Sequence, residues 1–155
     1  MPARSCNLFI VEDDQLLASA LAVQVEMLGY SVVGMAETAE DAVARILAIE
    51  PDIVLMDVNL GRGGSGLEAA QSLRLRSNVP IVFYTSYGDA AFRQKAATLD
   101  NTLVLEKPVT EAILSQALSA ATSSIWARNK PWRCRDGTLC LEKALDVIAL
   151  AELKR

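Results

Sequence analysis

The chain has 155 residues, of which 52% are hydrophobic, with a net charge of −4, three cysteines and no histidine. That apolar content excludes general disorder, and no apolar run approaches the roughly 18 residues a membrane span requires. The missing histidine excludes a His-based triad and any phosphohistidine carried on this chain.

In chain order, short apolar runs alternate with helix-period segments up to about residue 124. The runs are Leu8–Val11, Ser31–Met35, Ile53–Met56, Pro80–Tyr84 and Leu103–Leu105. Each is rich in Val, Ile or Leu and continuous rather than alternating, the pattern of strands buried on both faces. The first helix starts after Asp14 as its cap, carries Leu16, Ala20, Val23 and Met27 on one apolar stripe, and stops at Gly29. The second opens on Thr38-Ala39-Glu40-Asp41, close to a capping box, and ends before Pro51. Three more helices fit residues 66–76, 89–99 and 110–124, the last capped by Thr110. Five βα units imply an α/β fold, a doubly wound parallel sheet with helices on both faces. Chemistry in such sheets gathers at the carboxyl ends of the strands.

Those ends carry Glu12-Asp13-Asp14, Asp57, Thr85-Ser86 and Glu106-Lys107-Pro108. Singly, each has a bland reading: a helix cap for Asp14, a turn for Thr85, a loop for Lys107-Pro108. Together they place several acids, a hydroxyl and a lysine at one edge. Crowded carboxylates repel unless a cation sits among them, and oxygen ligands with few carboxylates suit Mg²⁺ beside a phosphate. Lys107 and Thr85 can bind phosphoryl oxygens, and the central Asp57 can attack phosphorus to form an aspartyl phosphate. The glycines at 61, 63, 64 and 66 lack the G-x-x-x-x-G-K-[ST] pattern, so they are read as a flexible loop beside Asp57 rather than a phosphate cradle.

Four segments carry a resemblance: Phe9-Ile10-Val11-Glu12-Asp13-Asp14, Leu55-Met56-Asp57-Val58-Asn59-Leu60, Tyr84-Thr85-Ser86 and Glu106-Lys107-Pro108. Over residues 6–124 the chain resembles the receiver domain of two-component response regulators. The resemblance implies the flavodoxin-like strand order 2-1-3-4-5 and phosphorylation on Asp57. It implies Mg²⁺ held by Asp13, Asp57 and the Asn59 backbone carbonyl, with Glu12 acting through water. It further implies Lys107 paired with the acids or the phosphate, Thr85 turned toward the phosphoryl oxygen, and a cis Lys107–Pro108 bond. Where the family usually has a rotating switch aromatic, three residues before the lysine, this chain has Val104. The stretch from Pro80 to Gly88 is similar to the subgroup whose fourth strand ends Phe-Ala-Thr-Gly-Tyr. On that likeness Tyr87 and a mobile fourth helix replace the usual switch; the alternative is that Tyr87 only packs over the helix.

Charge divides the chain at Trp126. Residues 1–125 hold 8 Lys/Arg and 15 Asp/Glu, a net of −7, and residues 126–155 hold 7 and 4, a net of +3. The first part reads as the receiver. The second reads as a basic linker, a turn at Asp136-Gly137 and an amphipathic helix with Leu141, Leu145 and Ile148, without a separate output domain. It is expected to pack on the receiver, pair with a second copy or meet a partner. Direct DNA binding is not expected, since a helix-turn-helix needs more chain. Cys134 and Cys140 fall short of a zinc set.

The expected function is a stand-alone response regulator, taking its phosphoryl group from a sensor histidine kinase or histidine phosphotransfer protein and signalling to a downstream target through helix 4, strand 5 and helix 5. It would catalyse its own modification and turn over no external metabolite. The N-terminus has no signal-peptide core, and the odd, scattered cysteines Cys6, Cys134 and Cys140 fit a reducing compartment, so a cytoplasmic location is expected. Competing readings are a transcription factor binding DNA through the basic tail and an aspartyl-phosphate phosphohydrolase. The latter lacks its second acid, since the acceptor reads Asp57-Val58-Asn59. A flavin-binding protein is disfavoured by acids that would repel a cofactor phosphate.

Overall fold

The computed structural model describes residues 6–86 and 90–122. The strands are β1 (Cys6–Val11), β2 (Tyr30–Ala36), β3 (Ile53–Met56), β4 (Ile81–Thr85) and β5 (Thr102–Glu106). The helices are α1 (Gln15–Met27), α2 (Ala39–Ile49), α3 (Gly66–Arg74), α4 (Ala90–Ala97) and α5 (Glu111–Thr122). All strand pairs are parallel, and the order is β2-β1-β3-β4-β5, as expected. The appended helix expected within residues 126–155 lies outside the described residues.

Alternation along the strands sorts the core into two layers. Phe9, Val11, Val54, Met56, Ile81 and Phe83 face one side, where α2, α3 and α4 bring Ile46, Leu73 and Phe92. Leu8, Ile10, Ile53, Leu55 and Val82 face the other, where α1 and α5 bring Leu21, Val25, Leu114 and Leu118. Both faces of the central strands are covered, which is why their sequences show apolar runs rather than alternation.

The helix starts follow local chemistry. Asp14 Oδ1 accepts from the Leu16 and Leu17 amides, Thr38 Oγ1 from Asp41, Ser65 Oγ from Leu67 and Thr110 Oγ1 from Ile113. Each satisfies a first-turn donor that the helix itself leaves open. After α1 the chain reverses through Gly29 at φ +99°, a conformation that favours glycine.

The orientation of α1 is not the one its stripe suggests. Leu16, Val23 and Met27 are 83%, 59% and 77% exposed and Ala20 is exposed with them. Ala18, Leu21 and Val25 are the buried residues instead. The cause is composition. Between Gln15 and Met27 the one charged residue is Glu26, so the helix has apolar stripes on two sides and periodicity cannot choose between them.

At the edge of the domain where β4 and β5 begin, Arg74 ties two loops together. Its Nε donates to the Asp100 carbonyl at 2.6 Å, one terminal nitrogen to Ser77 at 3.3 Å and the other to Asn101 at 3.0 Å. Burial lowers this guanidinium to about 10, against the opposing charge of Asp100. Arg74→Met is expected to cost about 2 kcal/mol in denaturant unfolding, the scale of lost hydrogen bonds to a charged donor. A wild-type midpoint would refute the clamp.

Candidate functional site

β1 and β3 are neighbours, so their ends deliver Glu12-Asp13 and Asp57 to the same place. Glu12, Asp13 and Asp57 each present a carboxylate oxygen within 4.8 Å of the others. Lys107, from the end of β5, reaches across β4. Its Nζ donates to Asp57 Oδ2 at 3.1 Å and to Glu12 Oε2 at 3.4 Å. The Lys107–Pro108 bond is cis, as the resemblance implied. The Lys107 amide also donates to the Thr85 carbonyl at 2.8 Å, which holds the lysine's backbone against β4. The Tyr84 ring lies 4.9 Å from Nζ and adds a cation–π contact.

The acids are not equivalent. Glu12 is 2% exposed, whereas Asp13 stands in solvent. Burial, then the charge of Asp57, pushes the Glu12 carboxyl up to about 7, although the Asp14 amide and Lys107 favour its charged form. Burial alone would lower the Lys107 ammonium, but its hydrogen bond to Asp57 and the charges of Asp57 and Glu12 raise it. Three carboxylates held this closely suit a hard divalent cation, with oxygen ligands partly buried and partly open to water.

A pH dependence follows. The Glu12 pKa is raised on folding from 4.5 to about 7, so its contribution to stability is full below pH 4.5 and is lost as pH rises through 7. In metal-free buffer, Glu12→Gln should therefore gain stability relative to wild type as pH rises from 4.5 to 7. Urea unfolding of both proteins across that range checks it; a constant difference would contradict the burial-driven shift.

Asn59 stands two residues after Asp57, its amide donating to Asp57 Oδ1 at 3.2 Å and its Oδ1 accepting from the Gly61 amide at 3.0 Å. The loop read as flexible is a closed turn. Gly61–Gly63 forms a 3₁₀ turn, Leu60 N–H bonds to the Gly64 carbonyl, and Asn59 bridges to Ser65. Thr85 is 1% exposed at the end of β4, paired in register with Glu106.

Two strand-end acids lie outside the cluster. Asp14 caps α1, and Glu106 pairs with Arg93 of α4 at 2.5 Å. Val104 is half-buried against the layer that contains Phe83 and Phe92, whose rings meet edge to face at 5.4 Å. Tyr87 lies outside the described residues, as do Cys134 and Cys140.

Sequence reasoning missed Gly66. A Cβ there would stand 2.1 Å from the Asp57 carbonyl oxygen, so α3 can begin against the Asp57 backbone with no other residue. The signal was a glycine at the first position of the helix after Asp57, hidden among neighbouring glycines. The role of Tyr84 was likewise hidden, because a strand residue beside a threonine reads as core.

Fold and site together define a doubly wound α/β protein whose strand ends carry a lysine-bridged acidic pocket. The family model for the response regulator receiver domain matches residues 8–119, and the chain belongs to that family. It is 33% identical over 118 residues to the phyllosphere-induced regulator PhyR of Methylorubrum extorquens, covering 74% of this chain and 43% of the relative. It is 30% identical over 117 residues to the transcriptional regulatory protein PdtaR of Mycobacterium tuberculosis, covering 76% and 57%. The chain thus spans about half the length of these curated relatives. Among solved structures, the receiver domain of a modulated diguanylate cyclase from Desulfovibrio desulfuricans superposes with a TM-score of 0.69 at 36% identity, covering 76% of this chain and 94% of that one.

Proposed function

We propose that this receiver accepts a phosphoryl group on Asp57 from a sensor histidine kinase or histidine phosphotransfer protein. The observation that carries the reading is the Lys107 ammonium bridging Asp57 and Glu12, with Asp13 within 4.8 Å of both carboxylates. A carboxylate oxygen of Asp57 attacks phosphorus, the donor's bond to phosphorus breaks, and the leaving group keeps the electron pair. Lys107 offsets the charge gathering on the phosphoryl oxygens, and Thr85 donates its hydroxyl to one of them. Asp13, Asp57 and the Asn59 carbonyl would hold Mg²⁺, with Glu12 acting through water. The ion supplies charge neutralisation during transfer. The chain has no histidine, so the phosphohistidine donor lies outside this sequence.

Residues 1–125 act as the receiver, with 126–155 as an appended basic segment. Output runs through α4, β5 and α5 to a protein target. The Arg93–Glu106 pair joins the first two of these elements there, and Phe92 anchors α4 on Phe83. Phosphorylation shifts a two-state equilibrium of this face. The protein modifies itself and has no external metabolite as substrate; Asn59 stands where a phosphohydrolase of this chemistry would carry a second acid. Among the described residues no helix is long and apolar enough to cross a membrane. The odd, scattered cysteines support a reducing, cytoplasmic location.

Acetyl phosphate supplies the test. Incubated with it, the wild-type chain is expected to gain the mass of one phosphoryl group in Mg²⁺ and none in EDTA. No gain in Mg²⁺ would overturn the assignment.

A further inference from the structure

On the sheet face they share, α2 and α3 leave a groove between them of about 500 Å³. Its walls are mostly apolar, with Ala39, Val43 and Leu47 from α2 and Ala69 from α3. At the end nearer the acidic pocket stand Glu40 and Glu68, each in the first turn of its helix. At the far end stands Arg76, just past α3. All three are exposed, and none is in an ion pair among the described residues. Next to Arg76, Leu75 caps α3 in helical conformation and is 85% exposed, an apolar knob beside an apolar groove.

We infer that the groove seats a second copy of this chain, the two α3 helices running antiparallel about a twofold axis near Ser72. In a twofold interface residue i of one copy meets residue j of the other, and j meets i. The groove is built for that operation, because it carries its own complement. Glu68, Ser72, Leu75 and Arg76 recur at helical spacing and so share one stripe of α3. Turning a copy about Ser72 sends Arg76 to the facing Glu68 and Glu40, and those acids to the facing Arg76.

Within one copy the charges do not meet. Glu68 and Arg76 are roughly 12 Å apart along the helix axis at 1.5 Å per residue. The same turn carries Leu75 to the Ala39 and Ala69 end of the facing groove, where the alanines leave room for it. At the crossing itself, exposed Ser72 and Ala44 are small and let the helices approach closely. An unrelated helix would have to bring an acidic end, a basic end and an apolar knob in this order. The chain already presents all three.

The acidic end of the groove adjoins the turn after Asp57. A Cβ at Gly64 would meet the Ala39 Cβ at 3.3 Å and Glu68 Oε2 at 3.8 Å. A copy seated there braces that turn, while α1 and α5 on the other sheet face stay open. The pairing itself needs no phosphoryl chemistry, so its test is independent of the phosphoacceptor reading.

Sedimentation equilibrium of the full chain, from low to high micromolar concentration, supplies that test. Wild type is expected to show a reversible monomer–dimer equilibrium. Arg76→Glu alone, or Glu40→Arg with Glu68→Arg, sets like charges face to face and should raise the dissociation constant about tenfold. Mixed in equal amounts, the two swapped proteins should pair with each other as tightly as wild type, because every facing contact again joins opposite charges. Recovery on mixing cannot come from a misfolded variant. Leu75→Asp, at an exposed position, should weaken pairing to a similar degree and keeps the question open to test if a swap disturbs the fold. A wild type that stays monomeric throughout would overturn the inference, as would dimers indifferent to these substitutions. A mixture no tighter than either swapped protein alone would overturn it too, and would give the groove to a different partner.

Discussion

Asp57→Asn is expected to take up no phosphoryl group from acetyl phosphate in Mg²⁺, under conditions that label the wild type fully. The substitution preserves volume and the acceptor for the Asn59 amide, but an amide oxygen is not a nucleophile toward phosphorus at neutral pH. It also removes one of the three carboxylates that lie within 4.8 Å of each other, weakening any site for a divalent ion. Folding should not suffer. The charge of Asp57 helps push the Glu12 carboxyl up to about 7, so its removal relieves a repulsion while Lys107 keeps Glu12 as a partner. In metal-free buffer the variant should be at least as stable as wild type by urea unfolding. Labelling of the variant at the wild-type rate would move the acceptor to another residue and sink the assignment of Asp57.

Gly66→Ala is expected to damage both stability and phosphorylation, though the residue carries no functional group. Its Cβ would lie 2.1 Å from the Asp57 carbonyl oxygen, 3.0 Å from the carbonyl carbon and 3.1 Å from Met56 Cγ. The first contacts are backbone, so no side-chain rotation relieves them. The Gly66 amide meanwhile donates to the Val58 carbonyl at 2.7 Å, which holds the start of α3 close. Overpacking of this kind costs about 3 kcal/mol, more than the roughly 1 kcal/mol alanine gains over glycine in a helix. The backbone that must yield is that of Asp57, the proposed acceptor. Displacing a reacting group by about 1 Å can cost a hundredfold in rate, so the initial rate of acetyl phosphate labelling should fall by about that factor. Denaturant unfolding and labelling kinetics at saturating Mg²⁺ check the two parts. Wild-type values for both would show that α3 moves aside freely.

Most of the site was legible because each residue stands at a strand end, and strand ends are readable from runs of Val, Ile and Leu. Asp57 after Ile53–Met56 and Lys107 after the fifth run needed only that logic plus the rule for parallel sheets. What the pattern could not tell was which acids stay in the pocket. Asp14 and Glu106 have the same charge and a similar position, yet one caps a helix and the other turns to Arg93. That division depends on where neighbouring elements place a backbone amide or a guanidinium, which no local pattern encodes.

Sequence alone determined the five alternating units, the parallel sheet, the helix caps and the acidic edge, because these depend on period, capping chemistry and local order. The tertiary structure decided which stripe of α1 is buried, why residue 66 must be glycine, and how two of three clustered acids come to share one lysine. Each of those is a contact between elements distant in the chain: α1 against β1 and β3, α3 against the Asp57 backbone, β5 reaching over β4 to β1 and β3. A helix apolar on two sides has no preferred face until a sheet is present to bury one of them.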